Sequence, residues 1–189
     1  VSSSGSAAAV ADYMTPLAVG SQTGGSTILP AAFCGVVGYK ASLTGIDRGG
    51  IRHLRPTLDT LGLFARSVED VALARAVVTD GSVAKTPARD ARPRIGVCRT
   101  LNWKEAQPEA VSTLAEAARA LAAAGASVGD VDMPAVFDGI ETSFRVITAI
   151  EGARAMAVEV RDHLATMNHW LKDAAAAAKQ FTPAQYDAA

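Results

Sequence analysis

Three absences narrow the classes to which this chain can belong. No stretch approaches the roughly 18 consecutive apolar residues that a membrane-spanning helix needs, although 49 % of the residues are hydrophobic and mean hydropathy is +0.18. Much of that hydropathy is alanine, and the Ala-rich runs at 115–126 and 174–178 read as helix. Neither sign of charge dominates: 18 Lys and Arg against 19 Asp and Glu give a net charge of -1. That balance argues against a general polyanion-binding surface, and so against nucleic acid as a partner. The two cysteines, Cys34 and Cys98, show no CxxC spacing and lie in apolar, strand-like surroundings. They read as buried reduced thiols, in keeping with a cytoplasmic protein. No leader with a charged first region is visible. A length of 189 residues suffices for one domain with a real core, or for part of a larger one.

The residues present alternate between helix and strand signals. Ala7–Tyr13 is small and helix-compatible, and Leu17–Val19 is a short apolar run ending at Gly20. Phe33–Tyr39 is compact and apolar between glycines, and Ala41–Pro56, with Gly45, Gly49, Gly50 and three arginines, reads as a loop. Ser67 is placed as an N-cap with Asp70 three residues on, opening a helix that ends near Asp80–Gly81. Residues 81–93 are polar with two prolines and read as a surface connection. Arg94–Cys98 and Ala126–Met133 are strand candidates flanking a helix over Glu109–Ala124, whose Val111, Leu114, Ala115, Ala118, Leu121 and Ala122 share one face. Pro108 and Gly125 punctuate that helix. The result is a βαβ unit, hence α/β with a mixed, partly parallel sheet flanked by helices. Ile140–Val160 predicts one long helix, and Thr182-Pro183 an N-cap with a proline at the first helical position. Both chain ends are expected to cut through elements of a longer fold.

Chemistry concentrates in two Ser/Gly clusters, Ser2–Ser6 and Thr23–Ser26. Taken alone, the first is a flexible end and the second a tight turn. Adjacent glycines also let a backbone come close to a ligand with its N–H groups pointing inward. A serine ending that row can act as a nucleophile whose oxyanion the same amides hold. A phosphate cradle would need a Walker lysine, but Ser26 is followed by Thr27 and Ile28. No G-x-S-x-G elbow occurs. His53 sits in the Arg-rich loop and reads as a surface residue. His163 and His169, six apart on a predicted helix, do not share a face, so they make a poor metal pair. Ser82-Val-Ala-Lys85 matches S-x-x-K within the polar connection, where chance explains it. Cys34 has no base in evident reach.

Taken together, the clusters carry a resemblance. Ser2-Ser3-Ser4-Gly5-Ser6-Ala7-Ala8-Ala9-Val10-Ala11, then Gln22-Thr23-Gly24-Gly25-Ser26, then Pro30 to Lys40 resemble the serine- and glycine-rich signature of the amidase signature family. The likeness continues through Thr57-Leu58-Asp59-Thr60-Leu61-Gly62 and Ala65-Arg66-Ser67-Val68-Glu69-Asp70, so about the first 80 residues carry a specific match. By position the resemblance implies Ser26 as nucleophile, and Ser2 as the serine that follows a cis peptide bond and relays a proton. It also implies the N–H groups of Thr23, Gly24, Gly25 and Ser26 as the oxyanion hole. The family's third member, a lysine that is neutral when it acts as base, lies upstream of the first cluster and outside this sequence. Lys40 matches a different, non-catalytic lysine. Many family members have Asp at the place of Gln22 and Arg just after the nucleophile, where Thr27-Ile28-Leu29 stands here. If those charges pair, losing both strands neither.

The resemblance thus implies a fragment of an amidase that hydrolyses the C–N bond of a small-molecule carboxylic amide. It implies a serine acyl-enzyme and a Ser-cisSer-Lys triad, with no metal and no organic cofactor. The chain by itself is expected to be inactive, because the lysine is missing. Residues 1–189 are then one partial amidase domain: a signature core over 1–80, the 81–93 connection, and a βαβ unit with helices over 94–189. No nucleic-acid or membrane partner is expected, and homo-oligomerisation of a full-length protein stays open. Two other readings stand beside this one: an amidotransferase A-type subunit releasing ammonia from glutamine, and a non-catalytic truncated or pseudo-enzyme α/β fragment.

Overall fold

The computed structural model describes residues 2–79, 81 and 92–189. Contacts divide the chain into two units, Val1–Lys85 with Phe144–Ala189, and Thr86–Ser143.

In the first unit β1 (Leu17–Gln22), β2 (Val37–Lys40) and β3 (Thr60–Ala65) form an antiparallel sheet of order β1-β3-β2. The central strand β3 reads T-L-G-L-F-A and is buried along nearly all its length, as a strand covered on both faces has to be. Successive strand side chains point to opposite faces. Phe64 therefore packs with Ala7 and Val10 of α1 (Ser4–Ala11) and with Ala31 of α2 (Ile28–Cys34). Leu63 packs on the other side with Ala41, Ile46 and, from α3 (Val68–Val78), Ala74. Gly20 does not end β1 but continues it; a side chain there would collide with Ser3 and Phe64. The loop predicted over Ala41–Pro56 holds neither helix nor strand and runs on to Asp59.

Cys34 is not in a strand: it closes α2, which Gly35 ends in the left-handed region at φ 66°. Pro30 is tolerated because it sits in the first turn of α2, where backbone N–H groups have no helical partner. Cys34 and Cys98 are both free and half-buried rather than fully buried. Ser67 caps α3 as predicted, its Oγ accepting from Asp70 N at 3.1 Å. His53 is half-buried rather than a surface residue.

The single helix predicted for Ile140–Val160 is two, α5 (Ile140–Ala155) and α6 (Ala157–His163), parted at the buried Met156. Arg52 Nη2 donates to Ala155 O at 2.9 Å, occupying a carbonyl that an unbroken helix would use internally. His163 ends α6 whereas His169 opens α7 (His169–Ala177), so the two histidines lie on different helices. Helix α8 (Pro183–Ala188) begins with Thr182 in a full capping box with Gln185. From α5, the buried Glu151 accepts Thr57 N at 3.1 Å, Thr57 Oγ1 at 2.7 Å and Tyr186 OH at 2.7 Å. That last bond, together with burial, holds the Tyr186 phenol above its ordinary pKa.

The second unit is the βαβ motif. Strands β4 (Arg94–Cys98) and β5 (Ser127–Val131) pair in parallel, from Arg94 opposite Ser127 to Cys98 opposite Val131. Between them runs α4 (Pro108–Ala123), with its proline at the first position and Gly125 at φ 97° just past its end. The α/β class is as read from sequence, with parallel and antiparallel pairing divided between two small sheets. Apart from Gly81, Arg92 and Pro93, the 81–93 connection lies outside the described residues, and so does Ser82-Val-Ala-Lys85. Among the described residues, no helix is long and apolar enough to cross a membrane.

Two outcomes follow from this packing. Phe64 has no exposed surface, so Phe64→Ala removes about 3–5 kcal/mol of stability, read from the urea midpoint. Arg52 Nη1 lies 2.6 Å from Glu159 Oε1, and this bond lowers the Glu159 pKa from 4.5 to about 2. The pair therefore stabilises fully above pH 4.5, and its contribution fades as pH falls through about 2. The melting temperatures of wild type and Glu159→Gln should differ at pH 6 and converge as pH is lowered to 2.

Candidate active site

Ser3 and Ser6 join the first serine cluster to β1. Ser3 Oγ donates to Ser21 O and accepts from Ser21 N, both at 3.2 Å, and Ser6 Oγ donates to Val19 O at 2.9 Å. The N-terminal turn is thus fixed beside the strand that leads into Thr23-Gly24-Gly25-Ser26. Ser2 lies exposed in that turn, and its bond to Val1 lies outside the described residues. Among the described peptide bonds none is cis. Ser26 is half-buried at the end of the second cluster, directly before Thr27 and α2. Among the described residues, no hydrogen bond joins Ser2 to Ser26.

Gln22 holds the turn that carries Ser26. As β1 ends, its buried side-chain Oε1 accepts from Thr27 N at 2.9 Å and Ile28 N at 3.0 Å. Its own carbonyl accepts from Thr60 Oγ1 at 3.3 Å on the neighbouring strand. Thr27 is fully buried against β3 at Gly62, where an added Cβ would overlap its side chain. Among the described residues, the N–H groups of Thr23, Gly24, Gly25 and Ser26 donate to nothing, whereas the next two are both taken by Gln22. The turn therefore offers a row of four unused donors beside a half-buried hydroxyl.

At the two glycines an added side chain would have to displace a neighbouring apolar side chain. A Cβ at Gly25 would lie 2.7 Å from Leu29 Cδ1, and one at Gly24 would lie 3.2 Å from the Phe144 ring of α5. Phe144 and Leu29 are partly exposed apolar neighbours of the turn. Gln22 appears in the sequence only as a departure from the family's aspartate; its neutral amide accepts the bonds that close the turn. The role of Asp59 is legible only in three dimensions: Thr23 Oγ1 donates to its Oδ1 at 2.5 Å. An acidic residue at a loop–strand junction was the available signal. Nothing in the sequence pattern singles out Phe144. Lys40 Nζ donates to the adjacent Ala41 O at 2.8 Å and plays no part in the turn. Among the described residues, no three of His, Cys, Asp and Glu gather as a metal ion would need.

Gln22→Ala leaves two N–H groups at the start of α2 unpaired. It should cost about 1–3 kcal/mol of stability by chemical denaturation, while Gln22→Glu, which keeps an acceptor oxygen, should cost less.

The chain as a whole is similar to known proteins. The family described as Amidase matches residues 1–184. The chain is 34 % identical over 166 residues to the A-type subunit of the glutamyl-tRNA(Gln) amidotransferase of Endomicrobium trichonymphae, covering 79 % of this chain and 34 % of that protein. It is 39 % identical over 148 residues to the protein of the same name from Acidothermus cellulolyticus, covering 70 % and 29 %. A solved amidase superposes with a TM-score of 0.89 at 26 % identity, over 97 % of this chain and 42 % of that one. A 6-aminohexanoate cyclic dimer hydrolase with bound substrate superposes with a TM-score of 0.82 at 28 % identity, over 100 % and 44 %. The chain spans about a third of the length of the curated relatives it matches. With the family match running over residues 1–184 and the fold shared with solved amidases, the chain belongs to the amidase family.

Proposed function

We propose that a family-length protein carrying this chain hydrolyses small carboxylic amides through an acyl-enzyme on Ser26. The observation that carries this reading is the row of four N–H groups from Thr23 to Ser26, unused within the described chain and beside a half-buried serine. Donors already in place where negative charge develops cost no reorganisation during reaction. Ser26 Oγ attacks the carbonyl carbon, and the oxyanion is held by those amides. The proton passes through Ser2 to a lysine that the resemblance places upstream of the first cluster. Such a lysine is neutral near pH 7 when desolvated and crowded by polar neighbours. The same relay returns the proton to the leaving amine, and water then releases the acid. Neither metal nor organic cofactor enters these steps. Residues 1–80 carry the chemistry in this proposal, and 94–189 complete one amidase domain.

A second reading is favoured by the relatives that are amidotransferase A-type subunits by name. In that reading the same serine releases ammonia from glutamine for a partner protein. The two separate on substrate: the first turns over simple carboxamides without a partner, the second needs glutamine, partner proteins and an acceptor.

Ammonia release by the family-length protein should fall at least about 1,000-fold on Ser26→Ala, the scale of losing an essential nucleophile. The 189-residue chain alone should release none. Retained turnover in Ser26→Ala would remove Ser26 as the nucleophile.

A further inference from the structure

The second tie on the T-G-G-S turn comes from a residue 36 positions away. Asp59 is buried, and its carboxylate carries three donors: Thr23 Oγ1 on Oδ1 at 2.5 Å, and Leu54 N and Arg55 N on Oδ2 at 2.8 and 2.9 Å. The two amide bonds knot the end of the 41–59 loop. Arg48 Nη1 tightens the same knot by donating to Pro56 O at 3.0 Å and to Asp59 O at 2.7 Å. A residue needed only to close the loop would use the two amide bonds alone. The third bond does something else: it reaches out of the knot to the first residue of the turn.

Thr23 carries the first of the four unused N–H groups, and two glycines without side chains follow it. At the far end Gln22 fixes Thr27 and Ile28. Gln22 is paired in the sheet, but between it and Thr27 the Thr23 hydroxyl is, among the described residues, the only side chain of the turn that a hydrogen bond ties to the loop. Without that tie the dihedrals of the two glycines that follow would have more freedom. Donor arrays of this kind depend on being held by locked neighbours.

We propose that Asp59 is a positioning residue for the oxyanion turn, acting through the Thr23 hydroxyl to aim the N–H groups that follow. It touches no reacting atom. The proposal rests on Ser26 being the nucleophile.

The test uses the family-length protein and a fluorophosphonate probe, which needs no knowledge of the natural amide. Serine oxygen forms a bond to phosphorus, fluoride leaves, and the phosphoryl oxygen occupies the oxyanion position. Thr23→Val removes the tie and leaves the Asp59 knot intact, whereas Thr23→Ser keeps the hydroxyl. Thr23→Val should slow labelling about 10- to 100-fold, somewhat less than deletion of an oxyanion donor. Thr23→Ser should stay within about threefold of wild type with an unchanged melting temperature. Thr23→Val, which leaves one buried Asp59 oxygen without its donor, should also melt about 2–8 °C lower. With a simple carboxamide, kcat should fall while KM stays within about twofold. Asp59→Ala combined with Thr23→Val should be no slower than Asp59→Ala alone, because Asp59→Ala already removes the acceptor of the Thr23 hydroxyl. Wild-type labelling by Thr23→Val, equal slowing by Thr23→Ser, a change confined to KM, or multiplying effects in the double variant would each overturn the proposal. If Asp59→Ala fails to fold, the Thr23 pair decides alone. Labelling of Ser26→Ala, or none of wild type, identifies failure of the nucleophile reading itself, and the proposal falls with it.

Discussion

A side-chain amide closing on the backbone organises the middle of this molecule. Gln22 leaves the sheet with its oxygen turned toward the start of α2, and both free N–H groups there bond to it. A buried N–H without a partner costs about 1–3 kcal/mol, so the chain between has to loop rather than run straight from strand to helix. That loop is Thr23-Gly24-Gly25-Ser26. Its seat is β3, where Gly62 leaves room for the Thr27 side chain, and β3 is fixed in turn by Phe64 and Leu63 on opposite faces. Core, sheet and turn are therefore one mechanical unit, and the closure leaves the four preceding N–H groups without a partner among the described residues.

The long loop that follows is held by cation-to-carbonyl bonds. Arg48 takes Pro56 O and Asp59 O, Arg52 takes Ala155 O, and Arg55 takes Thr148 O at 3.4 Å. Glu151 answers from α5 by accepting the Thr57 amide and hydroxyl. A segment without helix or strand thus has its polar groups met by side chains, which is how an irregular loop can lie against a core. The guanidinium that fastens Ala155 O does so at the last residue of α5, so the loop is joined to the helix where the helix ends.

Much of this was legible in the residues, and the parts that were not share a physical cause. The Ser67 cap, the Pro108 and Gly125 punctuation and the Thr182 box depend on neighbours three or four positions apart, and each stands where local spacing placed it. The break at Met156 coincides with a bond to Ala155 O from Arg52, more than a hundred residues earlier, and no helical pattern records it. Cys34 reads as strand because its neighbours are apolar, yet Gln22 has already started a helix there. At the site, Ser26 and the glycines are visible as a motif. Gln22, Asp59 and Phe144 become visible only when β1, the loop and α5 meet.

The central claim is that Ser26 attacks while the Thr23–Ser26 amides receive the negative oxygen. A crystal structure of the family-length protein after fluorophosphonate treatment tests it most directly. The required result is a phosphorus–Oγ bond at Ser26, with the phosphoryl oxygen within about 3.1 Å of at least two of those four nitrogens. An adduct on another residue, or an oxygen turned away from the turn into solvent, would contradict it.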